Sequence, residues 1–175
     1  DGAGKGTVVN YLTKKKGFTH CSARDLFVAE IKRQGIAENR ANMRLVANQL
    51  RATHGDDYLV RHYLKEIEAK GIENAIIESI RAKAEAETLK KNGAILIAVD
   101  ADVKVRYERA QERKSTADDV TFEEFVKHEE LEMNDPDPHG MQKGTVMVMA
   151  DYTILNNGSI KELQEQIDTV LDGLS

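Results

Sequence analysis

Asp1-Gly2-Ala3-Gly4-Lys5-Gly6-Thr7 decides how the rest of the chain is read. Glycines at positions 2, 4 and 6 leave no Cβ in the way of a ligand, and Lys5 stands just ahead of a helix-like run, Val8-Val9-Asn10-Tyr11-Leu12. Backbone amides gathered at such a turn, with a lysine inside it, make a phosphate cradle. The signature G-x-x-x-x-G-K-[ST] is met only in part. Its first glycine would lie two residues ahead of Asp1, and Gly6 follows the lysine, so the first hydroxyl is that of Thr7. A cradle of this kind follows a buried strand, and a short apolar strand is therefore expected ahead of Asp1.

A chain of 175 residues suits one domain. Hydrophobic residues at 41% supply a core, while 31% charged residues and the lack of a long apolar run argue against a membrane partner. A net charge of -5 argues against a general nucleic-acid binder. Cys21 is the single cysteine, which excludes an internal disulfide and fits a reducing cytoplasm; it is expected in the core, as a small hydrophobe. The five histidines show no metal-ligand spacing. Nothing in the sequence sets an oligomeric state.

Periodicity and punctuation outline alternating elements. A helix over 7–16 is stopped by Gly17, a short strand over 18–21 runs into Ser22 as the cap of a helix over 23–33, and Gly35 closes it. Residues 39–70 read as a helical hairpin broken at Gly55. Ala75-Ile76-Ile77 is the apolar run of a buried parallel strand, and a clearer strand covers 94–99 and ends at Asp100. Helices are expected over 83–91, 102–113 and 121–133, the last opened by Thr121 with Glu124 as its capping box. Residues 134–143, with Pro136, Pro138 and Gly140, read as a mobile loop. Residues 145–150 suit strand or helix, 152–155 a last strand, and Ser159 caps a final helix. This alternation predicts an α/β fold with a mostly parallel sheet and helices on both faces. Ligands then bind beyond the carboxyl ends of the strands.

The residues at those ends carry the candidate chemistry. Phosphoryl transfer needs positive charge spread over the moving group and a metal to bridge the phosphates. Lys5 is the first charge. Thr7 offers a hydroxyl to magnesium or to an α-phosphate, or else merely begins a helix. In Ile76-Ile77-Glu78-Ser79-Ile80-Arg81, Glu78 sits where a magnesium-orienting acid would, and Arg81 could grip a phosphate bidentately; both also suit a surface. Arg106, Arg109 and Arg113 share a helix face. They either grip phosphate, Arg109 and Arg113 foremost, or are neutralised by Glu108 and Glu112. Ser22, Arg24 and Asp25 could hold an acceptor, although capping alone accounts for Ser22.

With these pieces placed, the chain resembles the P-loop small-molecule kinases of the adenylate kinase and dephospho-CoA kinase type over nearly its whole length. Gly2-Ala3-Gly4-Lys5-Gly6-Thr7 is similar to the adenylate kinase loop, and Ser22-Ala23-Arg24-Asp25-Leu26 to the S-x-G-D-[ML] opening of its monophosphate-binding helices, with Arg24 for glycine. Ile77-Glu78-Ser79-Ile80-Arg81 is similar to the I-D-G-x-R stretch of adenylate-kinase-like proteins, with Glu for Asp and Ser for Gly. Arg109 and Arg113 resemble the R-x-x-x-R lid arginines. The run from Ala150 to Ser159 is similar to the A-D-x-V-I-x-N-x-G-[ST] ending of dephospho-CoA kinases. The resemblance implies a P-loop NTPase fold with a helical monophosphate-binding insertion at 22–72 and a lid at 110–143. It also implies ATP and Mg2+ as cofactors, a cradle of Gly2 to Thr7, and Asn157 and Gly158 near the adenine. The lid departs from the pattern: residues 123–137 are acidic and carry no arginine, so closure would rest on Arg109, Arg113, Lys114 or Lys143. The activity implied is ATP-dependent phosphoryl transfer to a nucleoside monophosphate, with dephospho-CoA as the alternative acceptor. A nucleotide-binding regulatory ATPase is the alternative of another class.

Overall fold

A computed structural model describes residues 2–112, 120–137 and 139–174. In chain order the elements are α1 (Lys5–Lys16), β1 (Thr19–Cys21), α2 (Ala23–Gln34), α3 (Arg40–His54), α4 (Tyr58–Lys70), β2 (Ala75–Ile77), α5 (Lys83–Lys91), β3 (Ile97–Asp100), α6 (Val103–Glu112), α7 (Phe122–Met133), α8 (Lys143–Val148), β4 (Tyr152–Leu155) and α9 (Ile160–Asp172). No described helix is long and apolar enough to cross a membrane.

All strand pairing is parallel. β1 lies on β2 with His20 opposite Ile76, and β3 lies on β4 with Val99 opposite Ile154. Among the described residues these ladders are two separate two-stranded sheets. Having one partner each, β2 and β3 are half-buried along their whole length, where the apolar run of β2 predicts full burial. What unites the ladders is packing. Ile76 of β2 and Ile97 and Val99 of β3 meet one cluster built from Val8 and Leu12 of α1, Ile154 of β4, and Leu163 and Ile167 of α9. The neighbours of Ile76, Ala75 and Ile77, point the other way, into Cys21, Ala23, Leu59 and Tyr63. Helices therefore cover both sides, as strand alternation requires.

Two expectations are corrected and one open choice is settled. The strand of 94–99 narrows to Ile97–Asp100: the Leu96 amide donates to the Asp151 side chain (Oδ2, 2.8 Å), while Leu96 O accepts the amides of Asp151 (2.7 Å) and Tyr152 (3.3 Å) at the start of the ladder. The open choice at 145–150 resolves to helix, α8. The loop after α7 is tied down at several described residues. Asp135 N donates to Met141 O (2.9 Å), Arg44 bonds Asp135 (2.7 Å), Asn48 bonds Asp137 (2.7 Å), and His139 Nδ1 lies 2.8 Å from Asp56. Its turn residues end α7 without freeing the backbone.

Candidate phosphate site at the strand ends

The cradle is a tight backbone turn running into α1. Gly2 (φ 76°) and Gly4 (φ 97°) lie in the left-handed region, and neither has room for a side chain. A Cβ on Gly2 would sit 2.1 Å from the Arg106 carbonyl oxygen, and one on Gly4 2.2 Å from Asn156 Nδ2, whereas Gly6 faces open space. Ala3 between them is buried. The first turn of α1 carries no acidic residue, so the positive end of the helix is not neutralised from within. Thr7 lies in that turn, its amide donating to Gly4 O (2.9 Å).

The buried side chain of Asn156, just past β4, holds the turn from below. Its Nδ2 donates to Ala3 O (2.9 Å), while its own amide donates to Asp100 O (2.7 Å) at the end of β3. Asn157 and Gly158 continue this loop: Asn157 Oδ1 accepts from Asp102 N (2.8 Å), and both residues line a surface hollow with Leu155, Glu162 and Gln166. Arg109 turns toward the same loop, donating to Asn156 O (2.7 Å) and Gly158 O (3.4 Å). Arg113 and Lys114 lie outside the described residues.

Lys5, at the start of α1, and Arg81, past β2, stand within charge range of one another. Burial, with the charges of Arg81 and Lys143, brings the Lys5 ammonium down to about 8, against an opposing pull from Glu132 and Glu78. Arg81 follows β2 and is fixed at its backbone: its amide donates to Glu85 Oε2 (2.8 Å), and its carbonyl accepts Gln142 N (2.7 Å). Glu85 is fully buried and paired with the buried Arg51 (3.3 Å). The Arg81 guanidinium meets Met141 Sδ (3.0 Å) and Glu132 Oε2 (3.3 Å). Glu78, also at the end of β2, lies 3.3 Å from His20 Nε2. Between Glu78 and Arg81, Ser79 takes φ 62° and is the one described non-glycine residue in that region.

Sequence reasoning missed two members of this cluster, Glu129 and Glu132, and placed two others, Arg106 and Lys143, behind Arg109 and Arg113. Arg106 points inward: its Nε donates to Ala101 O (2.7 Å) and lies 3.5 Å from Asp100 Oδ1, and its Nη1 bonds Glu129. Lys143, at the start of α8, is held below its ordinary pKa by burial and lies 3.9 Å from Glu129. The carboxylates of α7, Glu129 and Glu132, are buried. The signal was their three-residue spacing, which puts both on one helix face among acids that otherwise read as solvated.

The acceptor candidates lie past β1. Ser22 is buried and caps α2, accepting from Asp25 N (3.3 Å), and its carbonyl accepts the Tyr63 hydroxyl (2.6 Å). Asp25 is exposed, and Arg24 pairs outward with Glu38.

Residues 1–126 match the family model described as an AAA domain. The UPF0200 protein of Staphylothermus marinus is 31% identical over 163 residues, 92% of this chain and 82% of that protein. The UPF0200 protein of Hyperthermus butylicus is 26% identical over 175 residues, covering 99% and 90%. In three dimensions the chain is similar to the crystal structure of TT1252 from Thermus thermophilus, with a TM-score of 0.65 at 18% identity over 99% of this chain and 93% of that one. That last likeness concerns the fold. With the family model over most of the chain, and a relative aligned along nearly all of it, this chain belongs to the AAA domain family, as a P-loop kinase-like nucleotide-binding domain of the UPF0200 group.

Proposed function

We propose that the protein transfers the γ-phosphoryl group of ATP, with Mg2+, to a nucleotide-like small molecule, and that the acceptor is a nucleoside monophosphate. The observation that carries this reading is that Arg81 and Glu78, past β2, stand within charge range of Lys5 in the cradle. A donor site alone would not need the second group. The backbone from Gly2 to Thr7 binds the donor phosphates, and Lys5 stabilises the β and γ oxygens. Arg81 holds the acceptor phosphate beside them, with Ser22 and Asp25 at the acceptor's far end. The adenine lies by Asn157 and Gly158, beside Arg109, which bonds that loop.

An acceptor monophosphate is already ionised. Its oxygen attacks the γ-phosphorus, the bond to the β–γ bridging oxygen breaks, and ADP leaves without a general base. Among the described residues no three His, Cys, Asp or Glu side chains gather to hold a metal ion. Thr7 and Glu78 would be the protein ligands of Mg2+, which keeps most of its water and nucleotide oxygens; the ion would supply neutralisation of charge on the phosphate oxygens. The ending around Asn157 and Gly158 supports a second reading, dephospho-CoA as acceptor.

A coupled ADP-release assay across nucleoside monophosphates and dephospho-CoA separates the readings. A monophosphate should raise the rate well above the ATP-only background. ATP binding with no acceptor response would leave a regulatory ATPase instead. Arg81→Ala should still bind ATP, though more weakly, and lose acceptor-dependent turnover; unchanged turnover would remove Arg81 from the site.

A further inference from the structure

The basic cluster is already filled, by the protein itself. We propose that Glu129 and Glu132 of α7 act as a built-in phosphate surrogate, an autoinhibitory contact that a nucleotide polyphosphate must displace to bind. This rests on the nucleotide reading above.

Lys5, Arg81, Arg106 and Lys143 come from four separate parts of the chain, and each lies within charge range of an α7 carboxylate. Glu129 bonds Arg106 Nη1 and lies 3.9 Å from Lys143 Nζ, while Glu132 lies 3.3 Å from Arg81 Nη1. The charge of Glu132 acts on Lys5 and Lys143 as well. Side-chain exposure is 11% for Glu129 and 8% for Glu132, too low for a solvated surface pair. Burying carboxylates costs several kcal/mol per ion unless cations compensate, and here the compensating cations surround the cradle. Anchoring does not require these acids. α7 is held by Phe125, which is buried, by the edge-on contacts of Tyr107 with Phe122 and Phe125 (5.3 and 5.6 Å between centroids), and by its Thr121–Glu124 capping box.

The exchange is one of like for like. A carboxylate presents acceptor oxygens to guanidinium and ammonium groups in the way a phosphate does, so each phosphate oxygen entering the cluster replaces a carboxylate oxygen leaving it. Apparent affinity is then lowered by the fraction of molecules in which the carboxylates hold the cations.

Calorimetric titration of the full chain with ADP plus Mg2+, and with inorganic pyrophosphate, tests this. Glu129→Gln and Glu132→Gln should each bind more tightly than wild type, and together about tenfold more tightly. Glu130→Gln, exposed on the same helix, should leave Kd unchanged. Kd equal to or weaker than wild type in both glutamine variants, with wild type binding normally, overturns the surrogate and leaves the nucleotide reading standing; weaker binding would make the carboxylates part of the productive site. Binding by no protein at all removes both. If the glutamine variants do not fold, Glu132→Asp decides, since it keeps the charge but draws it back from Arg81: tighter binding supports the proposal and unchanged or weaker binding overturns it.

Discussion

Lys5 sits close enough to neutrality for its charge to be a variable of the site. Its pKa in the free protein is brought down to about 8, first by burial and then by Arg81 and Lys143. A bound polyphosphate adds negative charge and raises it again. Below pH 8 the ammonium is charged in both free and bound protein, and affinity is indifferent to it. Above pH 8 the free protein has lost a proton that the complex retains, so binding takes one up and affinity falls, by up to about tenfold per pH unit. Calorimetry at pH 9 in two buffers of different ionisation enthalpy should therefore report proton uptake on ADP binding, and Lys5→Met should abolish it. Ser79 makes a different kind of residue-level demand. At φ 62° its side chain costs about 1 kcal/mol that glycine would not incur. Ser79→Gly should raise the midpoint of thermal unfolding by about 2–4 °C, and a lowered midpoint would mean that the Ser79 side chain contributes more than the backbone costs. The resemblance to an I-D-G-x-R stretch made this position legible before any coordinate: the family glycine and the observed left-handed serine concern the same turn.

At the scale of elements, local signals were legible and distant ones were not. The capping box Thr121–Glu124 opens α7 and the cap Ser159 opens α9 as read, α9 adding Glu162 to complete a second box, because each signal is contained within three residues. The helical hairpin and its break at Gly55 also stand. The loop after α7 misled because its partners, Arg44, Asn48 and Asp56, lie 91, 89 and 83 residues away, and no window along the chain contains them. The support of α5 was hidden for the same reason. Glu85, which reads as an ordinary first-turn acid, is fully buried, accepts the amides of Arg81 and Ala82, and is matched by Arg51 of α3. Arg51→Met leaves that carboxylate uncompensated and should cost about 3–5 kcal/mol in urea unfolding. A loss under about 1 kcal/mol would show that the Arg51 pairing adds little to the fold.

For the whole molecule, the positions of the strand ends were foreseeable and the third dimension around them was not. Glu78 and Arg81 were singled out by the rule that ligands sit beyond parallel strands, and both do stand past the end of β2. Which arginine of α6 faces inward could not be read, since Arg106 and Arg109 lie on one helix face and only the placement of α7 and of the loop after β4 separates them. That loop carries a further consequence. The carbonyl of Ala3 is held by Asn156, 153 residues along the chain, and Tyr11 of α1 bonds Asp168 of α9. Contacts so far apart in sequence form late, after the cost of closing a long loop has been met. During synthesis the glycine turn would wait, incomplete, for β4 and α9 to emerge, so it takes its final shape only after the ribosome has passed Asn156. A ribosome-bound fragment ending before β4 would carry every residue of the glycine turn and still lack the amide that shapes it.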